Sequence, residues 1–402
     1  MTLHHAEALD AADPLAEFRD RFEIPAGGQV YADGNSLGRP PKIVRERVSA
    51  LQDQWARDLV GGWSDWIEWP VAVGDLLADA VIGARPGEVL VCDSVTVNLF
   101  KLATAALDAR AGAIVTDRGN FPTDRYILAG IAERAGREYV EVDAVGDVPP
   151  GAALVCFSHV DYRSGALADM TAVTAAAHDA GALMLWDLCH SAGVVAIDLE
   201  DSGADMAVGC TYKYLDAGPG APGFLYVRSE HQDTLQSPIQ GWFGQRDQFA
   251  MGPAYEPEAG ISRWLAGTPH IAGLVAVEAA AEVVAEAGID RIAAKARALT
   301  CYGIELYDAW LAPLGFRLET PRDPDRRGGH VALSHDQGWQ VCQALIERAG
   351  VLPDFREPDV IRFGFSPLDT RFTDVEAAFA RTRTLVVGED HLAFAEDRRR
   401  VT

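Results

Sequence analysis

Lysine is the scarce residue of this chain. Of 35 basic side chains only four are lysines (Lys42, Lys101, Lys213 and Lys295), and the other 31 are arginines. Any chemistry that needs a primary amine therefore has few candidates. Positive charge is short in general: Asp and Glu number 59, and the formal net charge is −24. A field of that sign repels phosphate backbones and anionic headgroups, which argues against nucleic acid and membrane surfaces as partners. No apolar run reaches the roughly 18–20 residues that span a bilayer. The N-terminus, MTLHHAEALDAADPLAEF, lacks the basic-then-apolar order of a secretion signal, so a soluble cytoplasmic protein is expected. The six cysteines (Cys92, Cys156, Cys189, Cys210, Cys301, Cys342) form no C-x-x-C pair, and the ten histidines no H-E-x-x-H. Free buried thiols are expected, with no disulfide and no metal site.

What is present is a globular composition, 49% hydrophobic over 402 residues, long enough for two domains. Short apolar runs alternate with Ala-rich stretches. EVLVC (88–92) leads into TVNLFKLATAAL, AIVTD (113–117) into DRYILAGIAERAG, ALVCFS (153–158) into MTAVTAAAHDAG, and ALMLWD (182–187) into HSAGVVAIDL. This βαβα rhythm predicts an α/β fold with a mostly parallel, doubly wound sheet buried on both faces. After about residue 270 two long helical stretches precede HVALSH, a further helix and VIRFGFSPL, the pattern of a smaller α+β unit. The expected division is an N-terminal arm (1–45), a large domain (46–269) and a small C-terminal domain (270–402). The run TPRDPDRRGG (320–329) reads as a surface loop.

Lys213 stands out among the four lysines. Lys42 follows two prolines at a helix start, and Lys101 and Lys295 lie in helix-like stretches; all three read as solvated positions. Lys213 instead follows the strand-like run ending at Gly209, in GCTYKYLDAGPGAPGFLYV (209–227), where an ammonium needs an ion partner or a covalent role. Ligands of open α/β sheets bind beyond the carboxyl ends of the strands. The polar residues expected there are Ser94 to Thr96, Phe121 to Asp124, Ser158, Asp187 with His190, and Tyr212 with Lys213. Each alone has a plain structural reading: Asp187 as a cap, Phe121 as core, Ser94 and Thr96 as N-caps, His190 as a helix-start hydrogen-bond partner. Together they suit pyridoxal phosphate (PLP). An amine bonds its aldehyde, a carboxylate holds the pyridine nitrogen protonated, a ring stacks on it, and a helix N-terminus takes the phosphate.

Seven segments in chain order resemble kynureninase: YADGNSLGRPP (31–41), VTVNLF (95–100), NFPTD (120–124), WDLCHSAG (186–193), ADMAVGCTYKYLDAGPGAPGFLYV (204–227), GWFG (241–244) and IRFGFSPL (361–368). They span most of the chain. The resemblance implies PLP fold type I and hydrolysis of L-kynurenine to anthranilate and L-alanine in tryptophan catabolism. It implies that Lys213 carries the internal aldimine, Asp187 pairs with the pyridine nitrogen, and Phe121 stacks. Val95, Thr96, Asp124, Ser158, His190 and Tyr212 would surround the cofactor, with Tyr212 a candidate to polarise the substrate carbonyl. Trp242 and Thr268 match positions that reach the phosphate from a neighbouring subunit, which implies a homodimer with the site at its interface. Arg362 matches the arginine that binds the substrate α-carboxylate; Asn35, Ser36 and Trp63 would lie near the substrate. The pair Gly267-Thr268 resembles the bacterial branch, so L-kynurenine is expected over its 3-hydroxy derivative. Asp216 departs from the Asn that the family often carries there.

Two rivals share the fold but not the function. A cysteine desulfurase or aminotransferase is one; desulfurases usually place His before the lysine and a cysteine on a mobile loop, whereas Tyr212 precedes Lys213 here. A non-catalytic PLP-fold binding protein is the other, and it would be expected to have lost Lys213, Asp187 or Arg362.

Overall fold

The computed structural model describes residues 4–394. The strands run β1 Val30–Tyr31, β2 Val89–Val91, β3 Ile114–Asp117, β4 Tyr139–Val142, β5 Leu154–Ser158, β6 Leu183–Asp187, β7 Met206–Gly209, β8 Phe224–Val227, β9 Arg317–Leu318, β10 His330–Ser334, β11 Val351–Leu352, β12 Asp354–Arg356 and β13 Val360–Gly364. Seven of them form one sheet in the order β2-β8-β7-β6-β5-β3-β4. Only β8 runs against its neighbours; the pairings from β7 through β4 are all parallel. β2 also runs with the majority, so β2, β3, β5, β6 and β7 all end at one edge of the sheet, where a ligand site is expected.

Both faces of this sheet are covered, as its continuous apolar strands require. One core gathers Val89, Val115, Val155, Met184, Trp186 and Tyr226 with residues of the helices Trp69–Leu77 and Ile271–Ala287. The other gathers Leu90, Ile114, Leu154, Leu185, Val208 and Leu225 with the helices Val95–Ala109 and Pro122–Ala135. The alternation along each strand sends successive side chains to opposite cores.

The four-stranded antiparallel sheet β12-β13-β10-β9 carries a separate core with the helices Ile289–Leu306 and Phe372–Val387. Residues 6–45 thread between these cores. Leu15, Phe18 and Phe22 pack in the large-sheet core, while β1 pairs in parallel with β11.

Three local expectations are corrected. The stretch HSAGVVAIDL is not a helix: after Asp187 the chain reaches β7 through turns, with Gly193 at φ 87°, where a Cβ would meet the Tyr214 carbonyl at 2.8 Å. Lys101 and Lys295 are not solvated. Lys101 is fully buried and donates to Asp93 at 2.6 Å and to the Trp264 carbonyl at 2.7 Å; Lys295 pairs with Asp13 at 2.6 Å. The loop 320–329 is superficial only in its middle, because Arg327 is buried and donates to Thr300 Oγ1 and to the carbonyls of Pro321 and Arg322. The cysteines are as expected: all six are free, and all but Cys301 are buried.

Candidate active site

At the carboxyl edge of the large sheet lies a cavity of about 310 Å³. Its walls include Val95, Thr96, Phe121, Asp124, Ser158, Asp187, His190, Tyr212, Lys213 and Ser36, so ten sequence-predicted residues meet there. All but Ser36, which comes from the turn after β1, arrive at or just beyond the end of a large-sheet strand or at the start of the helix that follows it.

Lys213 follows β7 by four residues, and its Nζ lies 3.1 Å from His190 Nε2. Burial, then the charges of Lys213 and Arg362, hold the His190 imidazole well below its usual range, so it is neutral and accepts from the lysine. Asp187, the last residue of β6, is fixed by the Cys189 N–H at 2.7 Å and contacts the carboxyl of Asp124. Burial, then the Asp187 charge, push Asp124 well above the usual carboxyl range. The shift favours the neutral form of Asp124 beside Asp187. Burial likewise raises the Tyr212 phenol, with the neighbouring Cys210 adding to it, so the hydroxyl stays protonated.

Ser94 caps the helix Val95–Ala109 by accepting from the Val97 N–H, which leaves the N–H groups of Val95 and Thr96 pointing out of the first turn. The chain crosses closely here: a Cβ on Gly223 would sit 3.1 Å from the Val95 nitrogen. Ser158 Oγ donates to Asn120 Oδ1 at 2.7 Å, and the same oxygen accepts from the Phe121 N–H at 2.7 Å. Phe121 is exposed toward the cavity and meets the Tyr162 ring edge-on, with centroids 5.2 Å apart.

These residues fit PLP. An amine, a buried carboxyl pair, a partly exposed phenyl face and an open helix N-terminus converge. Among the described residues, Asp124 Oδ2 and His190 Nδ1 are buried without a hydrogen-bond partner, as groups awaiting a ligand would be.

Arg362 stands differently from expectation. It is fully buried on β13, directly across from Asp354 on β12, and does not line the cavity. Nε donates to Asp354 Oδ1 at 2.7 Å and Nη2 to Asp354 Oδ2; Nη2 also donates to Ser36 Oγ at 3.2 Å and Nη1 to the Tyr162 carbonyl. The buried Asn35 amide oxygen, in the orientation that satisfies both groups, accepts from Nη2 at 3.0 Å and Nε at 3.2 Å. Trp242, Thr268 and Trp63 also lie off the cavity. Trp242 is 46% exposed against Phe243 and Phe249; Thr268 is exposed; Trp63 is half-buried against Trp66 and Phe243.

Thr123, within the predicted stretch Phe121 to Asp124, also lines the cavity, and three cavity residues were missed in the sequence: Tyr162, Cys189 and Arg356. Cys189 sits inside the quoted motif WDLCHSAG. Tyr162 and Arg356 had no periodic or motif signal, because only tertiary contact brings their loop and strand to the site.

Two curated relatives match nearly the whole chain. A kynureninase of Burkholderia pseudomallei is 43% identical over 400 residues, covering 96% of this chain and 95% of its own. One from Pseudomonas fluorescens is 44% identical over 383 residues, covering 92% and 91%.

The chain belongs to the kynureninase family.

The family model for the kynureninase C-terminal domain matches residues 292–381. Solved structures of the same fold include an apo cysteine desulfurase from Thermococcus onnurineus NA1, with TM-score 0.78 and 20% identity, covering 95% of this chain and 98% of that one. The cystine C–S lyase C-DES gives TM-score 0.79 at 16% identity, covering 88% and 97%. At those identities the likeness is one of fold, and the kynureninase relatives decide between the rival functions. The chain is an enzyme of PLP fold type I, a PLP-dependent hydrolase.

Proposed function

We propose that this chain hydrolyses the Cβ–Cγ bond of L-kynurenine, giving anthranilate and L-alanine. The observation that carries the reading is the placement of Lys213 beside a neutral His190, on the same cavity as the Asp124–Asp187 pair. When bound, PLP supplies an electron-accepting ring that stabilises negative charge left on the substrate carbons. Asp187 would hold the ring nitrogen end, with Asp124 beside it. Phe121 orients the ring, and Ser94 leaves the N–H groups of Val95 and Thr96 free for the phosphate. Ser158, fixed through Asn120, borders the same end.

Lys213 Nζ moves the proton at the substrate α-carbon, and the Nε2 of His190 accepts a hydrogen bond from it between steps. The Tyr212 hydroxyl, kept protonated by burial, donates to the γ-carbonyl as water adds there. Arg362 supplies positive charge for the α-carboxylate end, with Asn35 and Ser36 packed against it.

Trp242 and Thr268 act from a second copy of the chain, and Trp63 lies near the substrate. Neither Trp242 nor Thr268 lines this chain's own cavity, and the exposure of Trp242, Phe249 and Met251 supports a homodimer that completes each site across its interface. Gly267 and Thr268 favour L-kynurenine over 3-hydroxykynurenine. Among the described residues no helix is long and apolar enough to cross a membrane; a cytoplasmic enzyme of tryptophan catabolism, feeding NAD biosynthesis, is the setting we assign. We divide the chain at residues 45 and 269, with the separate core of the four-stranded sheet in favour of a C-terminal unit, while the helix Ile271–Ala287 and residues Leu15, Phe18 and Phe22 pack on the large sheet across those boundaries.

The test is anthranilate fluorescence from purified protein, PLP and L-kynurenine, with alanine measured alongside. Equimolar products support the reading, and a PLP-loaded protein that forms neither overturns it. The ratio of kcat/KM for the two kynurenines tests the substrate preference.

A further inference from the structure

Neither Cys189 nor Cys210 has a part in the chemistry above, yet both stand at the strand ends that carry it. Cys189 follows β6 by two residues, and Cys210 follows β7 by one. The two strands pair in parallel with Asp187 opposite Val208, and the Leu188 N–H donates to the Val208 carbonyl at 2.8 Å. Each cysteine lies two residues beyond that last pair. Neighbouring strands are about 4.8 Å apart, within the roughly 4.4–6.8 Å between Cα atoms that a disulfide bridges. Cys210 Sγ reaches across to 3.6 Å from the Cys189 carbonyl oxygen, and both thiols are free.

The pair differs from the other buried thiols. Burial pushes up Cys156 and Cys342, and it raises Cys92 to about 11. Burial works against Cys210 too, but the hydrogen bond of the Cys189 side chain and the charge of Lys213 overcome it and draw the thiol below its ordinary value. Cys189 is raised, first by Cys210 and then by burial, so it is the member that keeps its proton. A thiol with thiolate character beside a second thiol is the arrangement that oxidises to a disulfide.

Access to the pair runs through the cofactor site. Among the described cysteines Cys189 alone lines the cavity, and Cys210 is buried behind it. An oxidant small enough to enter the cavity meets Cys189, and a ligand that fills the cavity covers it.

We propose that Cys189 and Cys210 form a reversible disulfide when hydrogen peroxide enters the cavity, and that bound PLP blocks the reaction. One sulfur takes a peroxide oxygen as a sulfenic acid, and one water leaves. The other sulfur then displaces that oxygen as a second water. The two thiols lose two electrons and two protons, and the peroxide O–O bond is reduced. The new bond ties the strand end that presents Asp187 and His190 to the one that presents Tyr212 and Lys213. The Cys189 N–H that fixes Asp187 shifts with its side chain, so the oxidised site holds PLP more weakly. The proposal rests on the PLP site and not on the identity of the substrate.

The experiment exposes the full-length protein, with and without PLP, to hydrogen peroxide, then denatures, alkylates and digests it with trypsin. Cleavage after Arg163 and Lys213 leaves both cysteines on one peptide, Ser164–Lys213, which holds no other cysteine. Without PLP this peptide is expected to lose two hydrogens and to take up no alkyl groups, and dithiothreitol should reverse the change. PLP at about ten times its dissociation constant should slow the reaction about tenfold, because only the unloaded fraction reacts. The PLP dissociation constant, read from the cofactor absorbance, should rise on oxidation and return on reduction. Neither change should occur in Cys189→Ala or in Cys210→Ser, each compared with its own untreated sample. The proposal is overturned if the peptide keeps two alkylatable thiols at peroxide doses that oxidise the half-buried Cys301, or if either cysteine gains oxygen without pairing. It is equally overturned if PLP leaves the rate unchanged, or if the bond leaves PLP affinity unchanged. Every one of these readings is independent of turnover, so a chain that forms no anthranilate would still decide the question.

Discussion

Asp124 and Asp187 line the same cavity, one at the first turn of the helix Pro122–Ala135 and the other at the tip of β6, and the Asp187 charge adds to burial in raising the Asp124 carboxyl. In the proposed site Asp187 would present its charge to the ring nitrogen, with the raised Asp124 staying neutral. Asp124→Asn keeps a neutral hydrogen-bonding group there and is expected to retain PLP binding and measurable turnover. Asp187→Asn removes the charge, and kcat should fall by several orders of magnitude while PLP still binds. Steady-state kinetics and PLP titration of both variants check the asymmetry; equal losses would count against it.

Lys213→Ala is expected to abolish anthranilate formation while leaving the fold intact. The side chain is half-buried and its one hydrogen bond among the described residues is to His190, so little packing is lost with it. Circular dichroism and the melting temperature report the fold. Retained turnover would remove Lys213 from its role.

Arg362→Ala leaves Asp354 ionised and buried with Arg356 as its remaining cation. Breaking a buried pair from one side costs about 3–5 kcal/mol, more than the loss of an exposed contact. Urea unfolding should show a lower midpoint of that order. The paired change Arg362→Met with Asp354→Leu should recover part of it, because the stranded charge is then gone.

Asp33 makes stability depend on pH. Its native carboxyl titrates at about 7, raised first by burial and then by the Asp354 charge, against an ordinary value near 3.8. Between those values the native state holds the extra proton, so stability falls as pH rises from about 4 to about 7 and levels off above. Asp33→Asn should flatten that slope. Measured in urea at about pH 4.5 and about pH 8.5, the variant gains on the wild type mainly at the higher pH. An equal gain at both would show that the carboxyl is not titrating.

Much of this was legible in the chain, and the pattern of what was not is physical. The parallel sheet could be read because β5 and β6 are continuous apolar runs, LVCFS and LMLWD, that only a doubly covered sheet accommodates. Lys213 could be read because it follows such a strand. Lys101 was misread because helical periodicity tells which face a residue is on, not what lies opposite; Asp93 and the Trp264 carbonyl make burial tolerable for its ammonium. Arg356 was overlooked for a related reason. Nothing in DFREPDVIRF says that the first arginine opens on the cavity and the second turns inward; the antiparallel register, which sets Asp354 against Arg362, decides it.

That register has a mechanical consequence. Lys213 lies four residues beyond β7 of the seven-stranded sheet, and Arg362 lies on β13 of the four-stranded one, which has a core of its own. On the proposed reading, an amino acid held at its nitrogen end by the first and at its carboxylate end by the second would bridge the two sheets like a rivet.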